Sequence, residues 1–318
     1  MPAAGSKSLY KLRHRPFSEK LIDGGFQNLV ALLALTVAIV LLGIFLVVGM
    51  QSWAAIQAFG LNFIINSRWD PVQNEYGAFT AVYGTLLTSI LALILAVPLG
   101  VGTAIFLTED FIPAKVRIIL SNMVELLAAI PSVVLGLWAI FVLEPFIRPA
   151  LQLIYQIFGW VPFFSTPPSG PGVMPAVLIL AIMLLPIITA ISRDSLEQVP
   201  IDLRQAAYGV GATRWTAILK VMIPAAISGI IGGVMLALGR AMGETMAVTM
   251  IIGNQTSFNI SWFAPGNTIA SLIANQFGEA GELQMASLMY AALVLMIITF
   301  LVNVVAQWIV QRLALKYE

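Results

Sequence analysis

Charged residues are scarce in this 318-residue chain. Asp, Glu, Lys and Arg together make up 10% of it, whereas hydrophobic residues make up 59% and the mean hydropathy is +0.94. A soluble domain carries about 25% charged residues, and a soluble protein this apolar would expose large patches that promote aggregation. The composition therefore favours a protein whose solvent is mostly lipid. The net charge of +1 gives no indication of a nucleic-acid partner.

Cysteine is absent, and His14 is the single histidine. These absences exclude disulfides, thiol chemistry and metal sites built from Cys and His. The sequence also contains no nucleophile–base pair and no G-x-x-x-x-G-K-[S/T] phosphate-binding loop. We therefore predict a protein that is not an enzyme and binds no metal or cofactor itself. Any energy from ATP must come through another polypeptide.

The sequence contains several long apolar runs without charged residues or with few of them. A membrane-crossing helix needs about 20 mostly apolar residues, and the first such run is too long for the core of a signal peptide, which is about 7–15 residues. We interpret it as a retained anchor and predict an all-α membrane protein with about six transmembrane helices. The predicted spans are 26–50, 77–107, 118–143, 172–192, 225–253 and 285–310.

Lys and Arg indicate the orientation of these spans. Thirteen of the sixteen basic residues fall on the segments that an even number of spans places on one side. The opposite loops hold only Arg68 and Arg148, and Arg240 lies within a span. Because basic residues concentrate on the cytoplasmic side, both termini are predicted to be cytoplasmic. The predicted parts are a basic N-terminal segment (1–25), a transmembrane domain (26–311) and a tail (312–318).

The inner loop 193–224 has a defined local design. Pro200 and Asp202 are typical of a helix start, and Gly209 and Gly211 permit a sharp turn. A second, partly amphipathic stretch then leads to Pro224, where we expect the chain to re-enter the membrane. The loop is therefore predicted to form a compact knob, which is either an ordinary connection or a contact site for a cytoplasmic partner.

The fifth predicted span carries two charged residues, Arg240 and Glu244. An ionisable residue at mid-bilayer costs about 2.5–3.5 kcal/mol on insertion scales, so it tends to line a polar path or to meet a partner. Four positions apart, the two are predicted to share one helix face, with Thr245 beside them. Two interpretations stay open: an ion pair that neutralises itself, or an anion path in which the guanidinium binds an oxyanion through two hydrogen bonds.

On the anion interpretation, Glu244 holds Arg240 while the path is empty and accepts a hydrogen bond from a protonated oxyanion. Sulfate offers no proton and meets repulsion, which favours phosphate. Glu125, in the third predicted span, either pairs with Arg240, faces water or bonds to a neighbouring helix, and a structural role is favoured. Two G-x-x-x-G pairs are predicted to let helices pack closely. They are Gly229 with Gly233 and Gly239 with Gly243.

Two stretches resemble a known family. Gln205-Ala206-Ala207, three residues, Gly211, nine residues and then Val-Met-Ile-Pro224 resemble in spacing the EAA motif of ABC importer permeases, with Gln205 in place of the usual Glu. The stretch from Gly239 to Val248, GRAMGETMAV, resembles the signature of the phosphate-specific members. The likeness runs from about Tyr76 to Gln311 and is to the C-type rather than the A-type subunit.

The resemblance implies a type I ABC importer permease fold and a role as a membrane subunit of an ATP-driven phosphate importer in the bacterial inner membrane. It implies a phosphate path at Arg240 and Glu244, and a coupling helix seated in an ATPase. The residues implied in coupling are Gln205, Ala206, Ala207, Gly211 and Pro224.

The partners implied by the resemblance are an A-type paralogous permease, two copies of a cytoplasmic ATPase that binds ATP–Mg, an extracytoplasmic phosphate-binding protein and membrane lipid. Two alternatives stay open. One is an ABC permease for sulfate, molybdate or an amino acid. The other is a secondary carrier or channel that works without an ATPase.

Overall fold

The computed structural model describes residues 17–314, with side chains from 25 to 308. Residues 1–16 and 315–318, which hold most of the predicted basic segment (1–25) and of the tail (312–318), lie outside the described part. The described chain is mostly helical. Its helices are α1 (Phe17–Gln51), α2 (Trp53–Phe59), α3 (Asn62–Ile65), α4 (Phe79–Thr108), α5 (Ala114–Ala129), α6 (Ser132–Trp138), α7 (Glu144–Phe158), α8 (Val173–Glu197), α9 (Ile201–Gly209), α10 (Arg214–Ala217), α11 (Ile223–Gly243), α12 (Met246–Ile251), α13 (Ile269–Gln276) and α14 (Glu282–Ala314).

Shorter elements complete the fold. A two-stranded antiparallel hairpin of β1 (Trp69–Asp70) and β2 (Glu75–Tyr76) lies between α3 and α4. Two single turns of 3-10 helix occur at Pro162–Phe164 and Phe277–Glu279.

Six helical stretches of the described chain are long and apolar enough to cross a membrane, the number expected from the sequence. They are Gly25–Gln51, Phe79–Thr108, Ser132–Phe158, Val173–Glu197, Arg214–Gly243 and Glu282–Trp308. The first belongs to a separate unit that ends at Met50. Its side chains from Phe26 onward are largely exposed, as expected for a helix surrounded by lipid.

The second unit, from Gln51 onward, is built around α4 and α8. These two helices pack along their lengths, and α11 packs against both. Small side chains such as Ala92 and Ala176 are fully buried where they meet, and Thr189 Oγ1 donates a hydrogen bond to the carbonyl of Gly100 at 3.2 Å. Since lipid tails are as apolar as leucine, this association depends on close packing and hydrogen bonds between helices.

The third membrane helix lies later in the chain than the predicted 118–143. Helix α5 ends at Ala129, the backbone is extended at Ile130 and Pro131 (ψ 127° and 136°), and a new helical stretch runs from Ser132 to Phe158. Proline disfavours the helical conformation of the residue before it, and Pro131 therefore separates two helices. The prediction treated both sides of Pro131 as one span because both are apolar.

Two membrane helices contain a wide π turn just before a proline. Residues 139–143 end two positions before Pro145, and residues 218–222 end two positions before Pro224. A proline inside a helix has no N–H to donate, and its ring crowds the carbonyl four residues earlier; a π turn relieves that crowding. Pro224 consequently lies within the continuous helical stretch Arg214–Gly243, and the helix begins ten residues before it. The point at which the chain returns to the membrane stays a prediction.

The fifth span is interrupted near its end. Helix α11 stops at Gly243, and extended backbone at Glu244 (ψ 121°) separates it from α12. Helical structure is therefore interrupted in the last third of the predicted span 225–253. Glycine is a weak helix former, and glycines at 239 and 243 weaken the final turn of α11. Irregular backbone at membrane depth is tolerated where it is buried in protein or lines a water-filled cavity.

Candidate functional site

Arg240 opens onto a groove of about 690 Å³ between α11, α8 and α14. The guanidinium-bearing side chain is exposed in the groove, whose floor includes two glycines that keep it wide. The lining residues are Ile187, Gly232, Met235, Leu236, Gly239, Arg240, Asn303 and Gln307. An otherwise apolar surface thus carries one cation and two amides, the groups that bind an oxyanion through N–H donors.

The predicted pair between Arg240 and Glu244 is not formed. Among the side chains that the structure describes, no carboxylate oxygen lies within 4.0 Å of the Arg240 guanidinium. The two residues share a helix face only if the helix continues through both, and α11 ends at Gly243. Because Glu244 has extended backbone, the i, i+4 relation does not apply, and Arg240 keeps all its donors for other partners.

Glu244 and Thr245 instead stabilise the break between α11 and α12. Ala247 donates its backbone N–H to Glu244 Oε1 at 3.4 Å, and Thr245 Oγ1 donates to the carbonyl of Gly243 at 3.1 Å. Helix ends leave backbone groups without intrahelical partners, and these side chains replace part of that bonding. Both residues are partly exposed.

Asn303 and Gln307 are site residues that the sequence analysis missed. They lie on α14, four positions apart and therefore on one helix face, and both line the groove of Arg240. The signal was present in the sequence, since two amides one turn apart stand out in the apolar run 285–310. Their proximity to Arg240, more than sixty positions earlier, follows only from the packing of α14 against α11.

The four glycines predicted for helix packing divide into two pairs. A Cβ at Gly229 would collide with the side chain of Ser195, and one at Gly233 would lie 3.0 Å from Ile191, so these two glycines bring α11 close to α8. A Cβ at Gly239 or Gly243 would meet no atom within 4 Å. The first pair therefore packs within the chain, whereas the second faces open space beside Arg240.

The inner loop forms the predicted knob of two helices and a turn. Helix α9 begins directly after Pro200. It ends in a glycine-based C-terminal turn: Ala212 donates its N–H to the carbonyl of Ala207 at 3.0 Å, and Gly211 donates to Tyr208 at 2.9 Å. Gly211 has φ +82°, a conformation that glycine adopts without strain. Gly209, expected to share the turn, is the last helical residue of α9.

The motif residues of the knob differ in exposure. Gln205 and Ala206 are exposed, whereas Ala207 is buried at 7% exposure and anchors α9 against the chain. The exposed pair presents a small, uncharged surface outward. Pro224 is partly exposed and lies on the helix that continues from the knob. It follows the π turn and is not part of the outer surface of the knob.

Glu109 fastens the knob to the end of α4. Its carboxylate is 2% exposed; Arg204 Nη2 of α9 lies 3.1 Å from Oε1, and Arg214 Nε of α10 lies 3.2 Å from Oε2. The Arg214 guanidinium also lies 4.3 Å from the ring centre of Phe111, a distance suited to a cation–π contact. One buried carboxylate therefore ties both helices of the knob to a membrane helix.

Glu125 bonds to a neighbouring helix, one of the three predicted alternatives. Its Oε1 lies 3.2 Å from Arg193 Nη1 of α8, and Ser121 accepts a hydrogen bond from the same guanidinium. Asp194 and Glu197 also lie within ion-pair distance of Arg193. This cluster joins α5 to α8, and Glu125 is not part of the groove at Arg240.

Comparison with known proteins agrees with this architecture. Residues 96–317 match the family described as binding-protein-dependent transport system inner membrane component. The chain belongs to this family. Two relatives are named phosphate transport system permease protein PstC. The one from Mesorhizobium japonicum is 44% identical over 92% of this chain and 91% of its own length. The one from Haemophilus influenzae is 42% identical over 93% of this chain and 96% of its own length. An archaeal relative from Methanocaldococcus jannaschii, named as a probable protein of the same type, is 34% identical over 81% of the chain and 84% of that protein.

Solved structures show the same fold at low sequence identity. A chain of a bacterial alginate ABC transporter, crystallised with a periplasmic protein that holds an alginate pentasaccharide, superposes with a TM-score of 0.61 at 16% identity and covers 93% of this chain and 97% of that one. A chain of the inward-facing MetNI methionine ABC transporter gives 0.55 at 19% identity over 73% and 94%. This transport component therefore has the type I ABC importer permease fold and is a multi-pass membrane protein.

Proposed function

We propose that this chain is a membrane permease subunit of an ATP-driven phosphate importer, and that the groove at Arg240 is its part of the phosphate path. The single observation that carries the site assignment is an exposed guanidinium on a membrane helix with no carboxylate near it in the described chain. The names of the relatives support the cargo.

The chemistry of the groove suits a phosphate anion. An unpaired guanidinium presents parallel N–H donors to two oxygens of one anion. Its burial in a membrane is unfavourable while it is unpaired, and an anion relieves that cost for as long as it stays. With one cation in the groove, the anion is attracted but also leaves readily, as turnover requires.

Energy and direction must come from partners, since the chain has no phosphate-binding loop for ATP. We propose that a cytoplasmic ATPase contacts the exposed residues Gln205 and Ala206, and that a paralogous permease covers the open side of the groove. An extracytoplasmic phosphate-binding protein delivers the anion. The distribution of Lys and Arg supports cytoplasmic termini and a cytoplasmic knob.

Uptake by the assembled importer in sealed vesicles tests the proposal. We expect radiolabelled phosphate to accumulate only when ATP and the binding protein are present. Excess unlabelled phosphate should compete with this uptake, whereas sulfate and molybdate should not. Equal competition by sulfate would identify a permease for another solute. Phosphate accumulation that continues without ATP would identify a carrier that acts alone.

A further inference from the structure

The groove at Arg240 has room for an anion beside the guanidinium, and its other polar groups lie on α14. Asn303 and Gln307 bring two primary amides into a lining whose other residues, apart from Arg240, are apolar or glycine. Asn303 is partly buried and Gln307 is exposed. In the part of the chain that the structure describes, neither side chain has a hydrogen-bond partner, although a polar group in an apolar membrane region normally acquires one.

A nearby residue of α14 shows how a polar side chain can form its hydrogen bond within this helix. Thr299 lies one turn before Asn303 on α14, and its Oγ1 donates to the carbonyl of Leu295 at 2.8 Å. A threonine can bond to its own helix in this way, whereas the amides of Asn303 and Gln307 extend into the groove and leave their donors available. Amide N–H groups are neutral donors, so they can bind an anion without the charge that would hold it in place.

We propose that Asn303 and Gln307 are phosphate-contacting residues, which take the anion from Arg240 and lead it along α14 toward the inner end of the path. The inference rests on the proposed phosphate function. Gln307 lies one turn, about 5–6 Å, beyond Asn303 in the direction of the C-terminus. With the C-terminus cytoplasmic, the order Arg240, Asn303, Gln307 runs from a charged site to neutral sites on the way to the cytoplasm.

In this arrangement, a negative charge at position 303 or 307 should slow the passage of an anion. A carboxylate at either position has the size of the native amide but accepts where the amide donates, and it adds a negative charge in the path of an anion. The mutual repulsion is strong because the groove is bounded by low-dielectric surroundings. A hydrogen bond to a charged group contributes enough that losing one slows a step by about tenfold or more.

The test uses the complete importer in vesicles and compares Asn303→Asp and Gln307→Glu with Asn303→Leu and Gln307→Leu. We expect the leucine variants, which lose a hydrogen bond to the anion, to reduce the maximal rate of phosphate uptake by about tenfold. The acidic variants also repel the anion, and we expect them to reduce the rate by about a hundredfold. Thr299→Val is the matched control on the same helix face, and it should transport at the wild-type rate because its hydroxyl bonds within the helix.

A further measurement separates a role in transport from a role in assembly. Co-purification of all subunits should be unchanged in the four variants. Wild-type uptake by the acidic variants would overturn the proposal, and so would loss of assembly that accounts for the loss of uptake, since the amides would then join subunits. If wild-type vesicles accumulate no phosphate at all, the proposed function fails first, and that result is distinct from either outcome.

Discussion

At the scale of single residues, the end of one helix separates Arg240 from Glu244. The sequence places Arg240 and Glu244 four positions apart and predicts a shared helix face, but the helix stops between them. That stop is set by local features, namely glycines 239 and 243 and the side-chain bonds of Glu244 and Thr245. As a result Arg240 faces the groove without a carboxylate beside it in the described chain.

Glu244 has two separable properties, its hydrogen-bond acceptor and its charge. Glu244→Gln keeps an oxygen that can accept from the N–H of Ala247, whereas Glu244→Ala removes this hydrogen bond and should destabilise the start of α12 by about 0.5–1 kcal/mol. If the charge of Glu244 discriminates among oxyanions, Glu244→Gln should retain phosphate uptake and become more sensitive to competition by sulfate.

Competition curves for the two Glu244 variants decide the matter. An unchanged sulfate sensitivity in Glu244→Gln, together with normal uptake, removes Glu244 from selection among anions. The residue would then serve only to hold the backbone at the break.

At the scale of elements, one buried carboxylate ties the knob to the end of a membrane helix. Movement of α9 or of α10 must either carry Glu109 and the end of α4 with it or break the ion pair between that helix and Glu109. The connection was not predictable from the sequence because ninety or more positions separate Glu109 from the two arginines. By contrast, the start of α9 after Pro200 and the turn at Gly211 follow from local rules, and the sequence predicts both.

We expect Glu109→Gln to weaken the coupling between ATP hydrolysis and transport. The substitution removes the charge that holds Arg204 and Arg214. Loss of the charge-assisted hydrogen bond from Arg214 costs about 1.5–3 kcal/mol. Because both arginines are about a third exposed, water offsets part of this cost. Phosphate transported per ATP hydrolysed should fall several-fold while the assembly stays intact.

The adjacent residue supplies the control for Glu109. Asp110 pairs with Arg117 at 3.2 Å but is 84% exposed, and an exposed pair contributes about 0–1 kcal/mol. Asp110→Asn should therefore leave the transport ratio unchanged. Equal effects of the two substitutions would show that loss of an acidic charge in this region, and not the buried connection, is responsible.

The membrane spans illustrate how far sequence reasoning reaches. Composition alone indicates the number of spans, because each needs a long apolar run and the structure contains six such helices. It does not locate the third, since the residues on both sides of Pro131 are apolar and only the backbone shows that the proline separates two helices. The groove was predicted in part: Arg240 was identified from its charge, whereas Asn303 and Gln307 required the packing of α14 against α11.

At the scale of the whole molecule, import driven by a cytoplasmic ATPase requires one orientation of the chain in the membrane. The absence of cysteine makes this directly measurable, because a single introduced thiol is the only one in the chain. Val210 in the turn of the knob is 87% exposed, and Val72 in the turn of the β1–β2 hairpin is 92% exposed. Val210→Cys should react with an impermeant maleimide only from the cytoplasmic side, and Val72→Cys only from the outer side.

Labelling of intact cells and of inverted vesicles gives opposite results for the two positions if the orientation is right. Modification of Val210→Cys in intact cells would place the knob outside. It would then be out of reach of any cytoplasmic ATPase.

The whole-molecule account finally depends on a phosphate anion that binds the membrane-embedded cation during transport. The most direct measurement is ATP-driven phosphate uptake by importers that carry Arg240→Gln or Arg240→Lys, with stimulated ATP hydrolysis followed in the same vesicles. The account predicts a loss of about a hundredfold for glutamine, which removes the charge and two strong hydrogen bonds. It predicts a smaller loss, about tenfold, for lysine, which keeps the charge without the planar fork. Uptake at the wild-type rate by the assembled Arg240→Gln importer would contradict it.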